Sequence, residues 1–254
     1  MSPDFVHLHT HSSYSPMWGI PTLEALCEAV RSQGYDTFAL TDTNGLYGAI
    51  RFLEVAKRAG LKPILGTEII QAQHRAVLLA KSPEGYGNLC RLLSARHEDE
   101  PFEFIETLQR YRSGLVILSD DFQALTAWRA QSGEDLYVEL TPGADLQKAV
   151  SFSRQNCIPP VATTRAALLR PTDFEAHRLL RAIAENTTLS RLRPDCCCAP
   201  SHWLMPSSVM ARALPHVPEA LSNTRRIANQ CATAWDFQTT IFPSFREMSA
   251  DGAV

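Results

Sequence analysis

The feature that most constrains the fold of this chain is a regular alternation of short apolar runs with longer amphipathic stretches. Runs rich in β-branched and other apolar residues predict strands, and apolar residues at helical spacing between them predict helices. The predicted strands are Phe5–His9, Thr37–Thr41, Lys62–Ile70, Arg75–Lys81, Leu115–Ser119, Tyr137–Leu140 and Pro160–Thr164. Repeated units of this size favour a parallel sheet covered by helices, and about seven strands fit a barrel better than a five-stranded sheet.

Helices are predicted between these strands and after them. Thr22 is placed to cap the first helix, and Gly34 follows its end, where glycine favours the left-handed turn that closes a helix. The predicted helices are Thr22–Gln33, Leu46–Ala59, Tyr86–Ala95, Phe102–Arg112, Asp145–Gln155, Thr172–Ala184, Ser207–Leu214 and Pro218–Ala232. Prolines and consecutive cysteines in residues 193–206 indicate an irregular connector. We therefore expect a barrel over residues 1–190, and over 191–254 a connector, two helices and the aperiodic tail Phe242–Val254.

Composition excludes two broad classes of protein. With 45% hydrophobic and 20% charged residues in 254, the chain can bury a core, which excludes a mainly disordered protein. The longest strictly apolar run, Ala76–Ala80, is far shorter than the ~20 residues of a membrane span, and the first residues do not resemble a signal peptide. We expect no membrane partner and a cytoplasmic location, where the 7 unevenly spaced cysteines stay free thiols.

The net charge of −3, from 24 basic and 27 acidic residues, does not favour nucleic-acid binding by bulk electrostatics. Any contact with DNA is therefore expected to be local or to go through a partner protein. The segment from Arg165 to Arg193 is rich in arginine and could form a mildly basic surface. Because Asp173, Glu175 and Glu185 are interspersed there, a solvated helix face is the better interpretation.

Three histidines at the end of the first predicted strand, His7, His9 and His11, are the strongest functional signal. Alternate side chains of a strand share a face, so the three imidazoles are expected to converge. Neutral imidazole is the commonest metal ligand in proteins, and sites form at the carboxyl ends of barrel strands. The spacing therefore favours a metal site, although such histidines can also satisfy local carbonyl groups.

Two carboxylates, Asp42 and Glu68, end the next predicted strands. Carboxylates beside imidazoles suit zinc, manganese or iron, and a cluster of two or three ions can activate water. The alternative for Asp42 is that it caps the helix starting near Gly45–Leu46.

Nine stretches of the chain resemble, in order, the PHP (polymerase and histidinol phosphatase) domain that opens the bacterial DNA polymerase III alpha subunits, the C-family polymerases. They are HLHTHSSYS, FALTDTNGLYGAIRF, AGLKPILGTEI, VLLAKSPEGYGNLCRLLS, GLVILSD, PVATT, ENTTLS, PEALSNTRRIANQC and DFQTTIFPSF. The resemblance implies an α/β fold, a distorted (β/α)7 barrel, and a short helical extension like the lead into the polymerase palm. The palm itself is absent from this sequence, so we do not expect the chain alone to extend a primer.

The metal site is where the chain departs from the family pattern. Intact members hold two or three ions; His9 and His11 match the first ligand pair and Glu68 matches a carboxylate ligand, with His7 and Asp42 nearby. Other ligand positions are lost, and the residues found there are Trp18, Thr43, Arg75, Asp121, Arg165 and Ala167. Three ligands can bind one ion weakly but cannot hold a cluster in catalytic geometry. The resemblance thus implies a degenerate site with no cofactor or, if any, zinc or manganese.

Two of these replacements, Arg75 and Arg165, are always charged and would repel a cation in the same pocket. We expect them to replace the lost metal charge by pairing with carboxylates. The expected partners are Glu68, Asp42 and Asp121. One alternative is that the arginines and His9 bind phosphate without a metal, since guanidinium matches phosphate oxygens bidentately. The other is that both arginines point to solvent.

A run of three cysteines, Cys196, Cys197 and Cys198, precedes His202 and could suggest structural zinc. A second ligand pair at suitable spacing is missing, and adjacent cysteines point in different directions. The sequence therefore favours cysteines that pack as small hydrophobic side chains.

Three functions remain open from the sequence. The first, which the ligand losses favour, is a non-catalytic PHP module with a structural or interaction role in a replicative or repair DNA polymerase. Its partner would be a polymerase, replisome or repair protein. The second is a metal-dependent phosphoesterase or 3′–5′ exonuclease acting on DNA ends. The third is a phosphate- or nucleotide-binding module that uses the arginines.

Overall fold

The computed structural model describes residues 5–98 and 101–237, which form a mixed α/β fold around one curled sheet. The described residues contain strands β1 (Thr37–Leu40), β2 (Lys62–Gln71), β3 (His74–Ala80), β4 (Leu115–Ser119), β5 (Leu136–Leu140) and β6 (Pro160–Ala162), in that order across the sheet. The helices are α1 (Leu23–Ser32), α2 (Ala49–Ala59), α3 (Pro83–His97), α4 (Phe104–Arg110), α5 (Phe122–Gln131), α6 (Leu146–Asn156), α7 (Phe174–Ala184), α8 (Ser207–Ala213) and α9 (Pro218–Gln230). The predicted tail Phe242–Val254 and most of DFQTTIFPSF lie outside the described residues.

The predicted α/β class is confirmed, but the expectation of a wholly parallel sheet is wrong. β3 runs antiparallel to both β2 and β4, whereas the other neighbouring pairs are parallel. Only Ala72 and Gln73 separate β2 from β3, and a parallel crossover needs a dozen residues or more. The short gap between these two runs was therefore a hairpin signal.

The first predicted strand, Phe5–His9, is an extended segment rather than a regular strand. Its carbonyls at His7 and Thr10 accept hydrogen bonds from β1 and the residue after it, at 2.8 and 2.9 Å. Its His9 carbonyl accepts from the Ala166 amide beyond β6, at 3.0 Å. The segment thus connects the two edges of the curled sheet.

Local sequence explains where the helices begin and end. The predicted cap is confirmed, because the Thr22 hydroxyl accepts from the Ala25 amide at the start of α1. α2 ends at Ala59 and is capped by Gly60, whose φ of 71° is the left-handed conformation that glycine adopts without strain. The sequence analysis missed α5, which Asp121 caps by accepting from two backbone amides.

Helix α9 covers the end of the barrel opposite the one where His9 and Glu68 lie. The Thr224 hydroxyl of α9 accepts from the Val6 amide at 2.8 Å, and Asn223 donates to the Pro160 carbonyl at the start of β6. Ile227 of α9 packs with inward-facing strand residues in one buried cluster. No helix of the described residues is long and apolar enough to cross a membrane.

Candidate metal centre

Three buried side chains converge at the strand ends: His9, His11 and Glu68. The Nε2 atoms of the two histidines are 3.1 Å apart, and the Glu68 oxygens lie 3.4 Å from Nε2 of His9 and 3.7 Å from Nε2 of His11. Two ligands of a tetrahedral zinc ion, each at ~2.0–2.1 Å, are about 3.3–3.4 Å apart. The three donors are therefore close enough together to hold one ion. No other such group occurs among residues 5–98 and 101–237.

His7 does not join this group, contrary to the expected convergence. Its ring packs between Phe5 and Tyr35, with centroids 4.9 and 5.1 Å away. The chain bends at residue 9, so the alternation of an ideal strand does not extend from His7 to His11. Burial lowers the pKa of His7 to about 3 and keeps the ring neutral.

Asp42 lies beside the site but turns away from it, so both sequence interpretations of this residue are wrong. Its carboxylate accepts from the Ser12 amide and hydroxyl at 2.7 and 2.8 Å, and from the Ser15 hydroxyl at 2.6 Å. It does not cap α2, which begins seven residues later behind Gly48 with no side-chain cap. The reason is the loop after His11, which folds back over the end of β1 and saturates the carboxylate.

The two arginines lie in the site, as expected, but with partly different partners. Arg75 donates to both oxygens of Asp120 at 2.6 and 2.7 Å, and its Nε is 3.8 Å from Glu68. Arg165 donates to Asp120 at 2.7 Å and to Glu139 at 2.8 Å. Glu139 in turn lies 2.6 Å from Nδ1 of His9. Alternating charges thus form a closed ring, the ion-pair ring, whose members are His9, Glu139, Arg165, Asp120, Arg75 and Glu68.

The ring overturns two sequence interpretations of the arginines. Neither points to solvent, since the Arg165 side chain is 11% exposed and that of Arg75 is 26% exposed. The predicted partner Asp121 is wrong by one residue, because Asp120 faces the site. Asp121 instead caps α5 and lies 2.5 Å from Nδ1 of His74, outside the ring. Neighbouring residues on a strand end face opposite ways, so a shift of one position exchanges the two carboxylates.

Glu139 was missed by the sequence analysis, although its signal was readable. It is the one charged residue in the strand sequence LYVEL and is fully enclosed in the structure. A charged side chain inside an otherwise apolar strand is costly unless it is paired, so its presence alone suggested a partner in the barrel.

Burial and neighbouring charge together set the protonation of the ligands. Burial alone would lower the pKa of His9, but the charge of Glu139 and hydrogen bonds to Glu139 and Glu68 raise it. Burial lowers the pKa of His11 to about 4, so this ring is neutral. Burial would raise the pKa of Glu68, but His11, His9 and Arg75 hold it well below its usual range.

The arginine side of the ring is ionised throughout. Burial would raise the pKa of Glu139, but Arg165 and His9 hold it well below its usual range. Burial also opposes ionisation of Asp120, and the two arginines lower its pKa. Arg165 has a φ of 46°, a left-handed conformation that costs a non-glycine residue about 1 kcal/mol or more. Its ion pairs hold that strained backbone in place.

The other replaced family positions have distinct places in the structure. Trp18 turns away and packs edge-on against His177 of α7. Thr43 stays in the site, where its hydroxyl donates to Glu68 at 3.0 Å. The Ala167 amide donates to the backbone carbonyl of His202, which brings the connector beside the ring. Burial and the charges of Arg165 and His9 lower the pKa of His202 to about 3.

The cysteine run forms no metal group with neighbouring residues in the described part of the chain. The Cys198 amide donates to Nε2 of His177, and the Cys198 side chain is buried in a small apolar cluster. The arginines of α7 pair along their own helix, Arg178 with Glu175 at 3.1 Å and Arg181 with Glu185 at 2.6 Å. Both observations agree with the structural interpretations of these segments.

Comparison with known proteins gives one family and a consistent set of relatives. Residues 7–140, more than half of the chain, match the PHP domain family. The chain is 27% identical over 278 residues to a DNA polymerase III subunit alpha of Vibrio cholerae, covering 96% of this chain and 24% of that protein. It is 31% identical over 264 residues to one of Buchnera aphidicola, covering 90% of this chain and 23% of that protein. The chain thus spans about a quarter of the length of the curated relatives it matches.

Among solved structures, one similar chain is a two-domain protein from Bacteroides vulgatus that contains a predicted PHP-like metal-dependent phosphoesterase. It has a TM-score of 0.48 and 13% identity, covering 89% of this chain and 66% of that one. The sequence matches carry the assignment: the chain belongs to the PHP domain family.

Proposed function

We propose that this chain is a PHP module that does not hydrolyse phosphoesters and that has a structural or interaction role in a DNA polymerase III alpha-like system. One observation carries the proposal. Two guanidiniums, Arg75 and Arg165, share Asp120 in the place where the family resemblance puts further metal ligands. The ion-pair ring therefore stands where intact members would bind further ions.

Charge explains why the ring and a metal cluster exclude one another. Three carboxylates face two guanidiniums in the ring, so most of the negative charge is already compensated. A unit charge placed about 4 Å from a guanidinium is repelled by about 4 kcal/mol at an effective dielectric constant of 20, and a divalent ion by twice that. Further ions on the arginine side would have to overcome this repulsion.

The histidine side is different, because its donor set fits a single ion. Zinc or manganese would be held by His9, His11 and Glu68, and when bound it would supply Lewis-acid polarisation of water or a phosphoryl oxygen. Glu139 accepts from the far nitrogen of His9, which is the usual support for a metal-bound histidine. A two-metal clamp on an in-line displacement needs a second ion, and the ring leaves it no ligands.

A nuclease assay tests this function. The purified chain is incubated with Mn²⁺ and single-stranded DNA labelled at its 5′ end, beside the Glu68→Gln variant as a matched control. We expect no shortening of the DNA above the control. Manganese-dependent hydrolysis that Glu68→Gln abolishes would instead support the second candidate, a metal-dependent phosphoesterase or 3′–5′ exonuclease. The convergence of His9, His11 and Glu68 is what favours that candidate.

The partner is inferred from the relatives, which are DNA polymerase III alpha subunits by name. A replisome or repair context in the cytoplasm agrees with the 7 free cysteines, and DNA would be reached through the partner. Co-elution of the chain with a purified bacterial polymerase III subunit would test this part of the proposal.

A further inference from the structure

A buried chain of hydrogen bonds leads from Asp42 through Ser15 to His11. The Ser15 hydroxyl lies 2.6 Å from Oδ1 of Asp42, and Nδ1 of His11 lies 3.2 Å from the Ser15 oxygen. All three side chains are at most 2% exposed, so water does not compete for these contacts. Neither Ser15 nor Asp42 is placed to touch an ion held by the ligands.

The hydrogen bonds around Ser15 determine which atom donates and which accepts in each contact of this series. Oδ1 of Asp42 also accepts from the Ser12 amide, so it is an acceptor and receives the single hydroxyl hydrogen of Ser15. The Ser15 oxygen then accepts from the Thr43 amide at 3.0 Å, and its remaining lone pair faces His11. Nδ1 of His11 must therefore carry a hydrogen, because two lone pairs would otherwise face each other.

Thr43 gives independent support for the same proton position. Its hydroxyl oxygen lies 3.4 Å from Nδ1 of His11, but its own hydrogen is donated to Glu68 at 3.0 Å. Thr43 thus also presents a lone pair to His11. Both oxygens next to this nitrogen are acceptors.

We propose that Ser15 and Asp42 are positioning residues that fix His11 as the Nδ1–H tautomer, with the lone pair of Nε2 turned toward His9 and Glu68. A neutral histidine protonated at Nδ1 has its only free lone pair on Nε2. From the opposite side, Glu139 accepts at 2.6 Å from Nδ1 of His9, and in the metal-free protein Nε2 of His9 carries the hydrogen that points to Nε2 of His11, 3.1 Å away. Two separate relays thus aim both Nε2 atoms at one point.

In the loop that carries Ser15, the backbone at Gly19 packs directly against the backbone of Ser12. A Cβ atom on Gly19 would lie 2.0 Å from the Ser12 carbonyl oxygen, so only glycine fits there. The amides of Trp18 and Gly19 both donate to the Ser15 carbonyl at 3.1 Å. The turn therefore fixes the backbone of Ser15 while its side chain faces the site.

The direct test is nitrogen NMR of the histidine rings in the metal-free protein. The native chain should show His11 protonated at Nδ1, and Asp42→Asn should keep this state, because an amide oxygen still accepts from Ser15. Ser15→Ala should give a mixture of tautomers. Ser153→Ala, which removes another buried serine hydrogen bond far from the site, should change nothing at His11. A native His11 protonated at Nε2 overturns the proposal.

A second readout uses Co²⁺ binding and its visible absorption as a reporter of ligand geometry, and it rests on the proposed single-ion site. Ser15→Ala should weaken Co²⁺ binding about 10- to 100-fold, whereas Ser153→Ala should stay within about threefold of the native chain. Equal affinity of Ser15→Ala and the native chain, with unchanged absorption, would count against the positioning role. Hydrolysis of DNA would contradict the proposed function but not this inference, so the two failures are distinguishable.

Discussion

The site has a histidine half and an arginine half, and they balance the negative charge of buried carboxylates in different ways. On one side His9, His11 and Glu68 keep donors facing a common point, and their outer contacts hold them there. On the other side, Arg75 and Arg165 bind the carboxylates directly. Buried negative charge needs compensation in both halves, and only the first has a donor group that could take up a cation.

Under the proposed function, the difference means that a metal site can lose ligands in part and keep its fold. Glu139 belongs to both halves, since it accepts from His9 and from Arg165. Without a positive charge between them, the carboxylates of the ring would repel one another. Arg75 and Arg165 supply that positive charge and so hold the strand ends together. His9, His11 and Glu68 have a geometry that could hold one ion.

The largest effect should come from removing the residue that joins the halves. Glu139→Ala leaves the guanidinium of Arg165 with one fewer buried partner and His9 without its acceptor. Breaking a buried ion pair from one side costs about 3–5 kcal/mol, so we expect a loss of that order in the free energy of urea unfolding. A loss below about 1 kcal/mol would mean that the ring does not stabilise the barrel.

As the pH falls, stability should be lost first through the buried neutral histidines and only later through the carboxylates that pair with the arginines. The folded pKa values of His7 and His11, about 3 and 4, lie below the unfolded value near 6.5. The unfolded chain therefore binds more protons, and stability falls as the pH drops below 6.5. The raised pKa of His9 acts in the other direction, since its contribution is lost only as the pH rises through the folded value.

Between pH 6.5 and 5 we expect the free energy of unfolding to fall by about 5 kcal/mol, because His7, His11 and His202 each contribute about 1.6 kcal/mol, and His7→Phe should remove about a third of the change. The lowered carboxyl pKa values of Glu139 and Asp120 add a further loss only below about pH 4, where the unfolded groups titrate. Urea unfolding at half-unit intervals of pH separates the two ranges. Constant stability down to pH 5 would contradict neutral buried histidines.

Replacing Arg75 and Arg165 by the residue types of the family pattern should turn the arginine half of the site into a metal-binding site. In the variant Arg75→His/Arg165→Asp, carboxylates lose their fixed partners, so we expect lower stability without metal and a strong gain with Mn²⁺. Ligand at 100 times its dissociation constant stabilises a protein by about 2.7 kcal/mol. Thermal unfolding with and without Mn²⁺ measures this, and Arg178→His on α7 serves as the matched surface control. An unresponsive double variant would show that charge is not what excludes the ions.

The smallest effect should come from the carboxylate just outside the ring. Asp121→Ala removes the cap of α5 and the contact with His74, which together should cost about 1 kcal/mol. Because Asp121 is outside the ion-pair ring, the histidine signals of His9 and His11 should not move in the NMR spectrum. Changes there as large as those of Asp120→Ala would place Asp121 in the site after all.

Most strands and helices could be predicted from the sequence, but only some of the residues of the candidate site could. Periodicity located the six strands and most helices, but α5 was missed because its amphipathic signal is weak. The sequence analysis singled out His9, His11 and Glu68, and the structure brings these three side chains together, although Glu68 lies within β2 rather than after its end. The choice between Asp120 and Asp121 depended on a one-residue register that periodicity does not resolve. Asp42 was misassigned because the course of the loop after His11 depends on tertiary contacts rather than on local propensity.

The metal content of the chain tests the central claim most directly. The protein is equilibrated with Mn²⁺ and Zn²⁺, desalted and analysed by mass spectrometry of its metals, beside a Glu68→Gln control. The ion-pair ring predicts at most one equivalent, lost in the control. Two or more equivalents in the native chain would contradict the exclusion of further ions by Arg75 and Arg165.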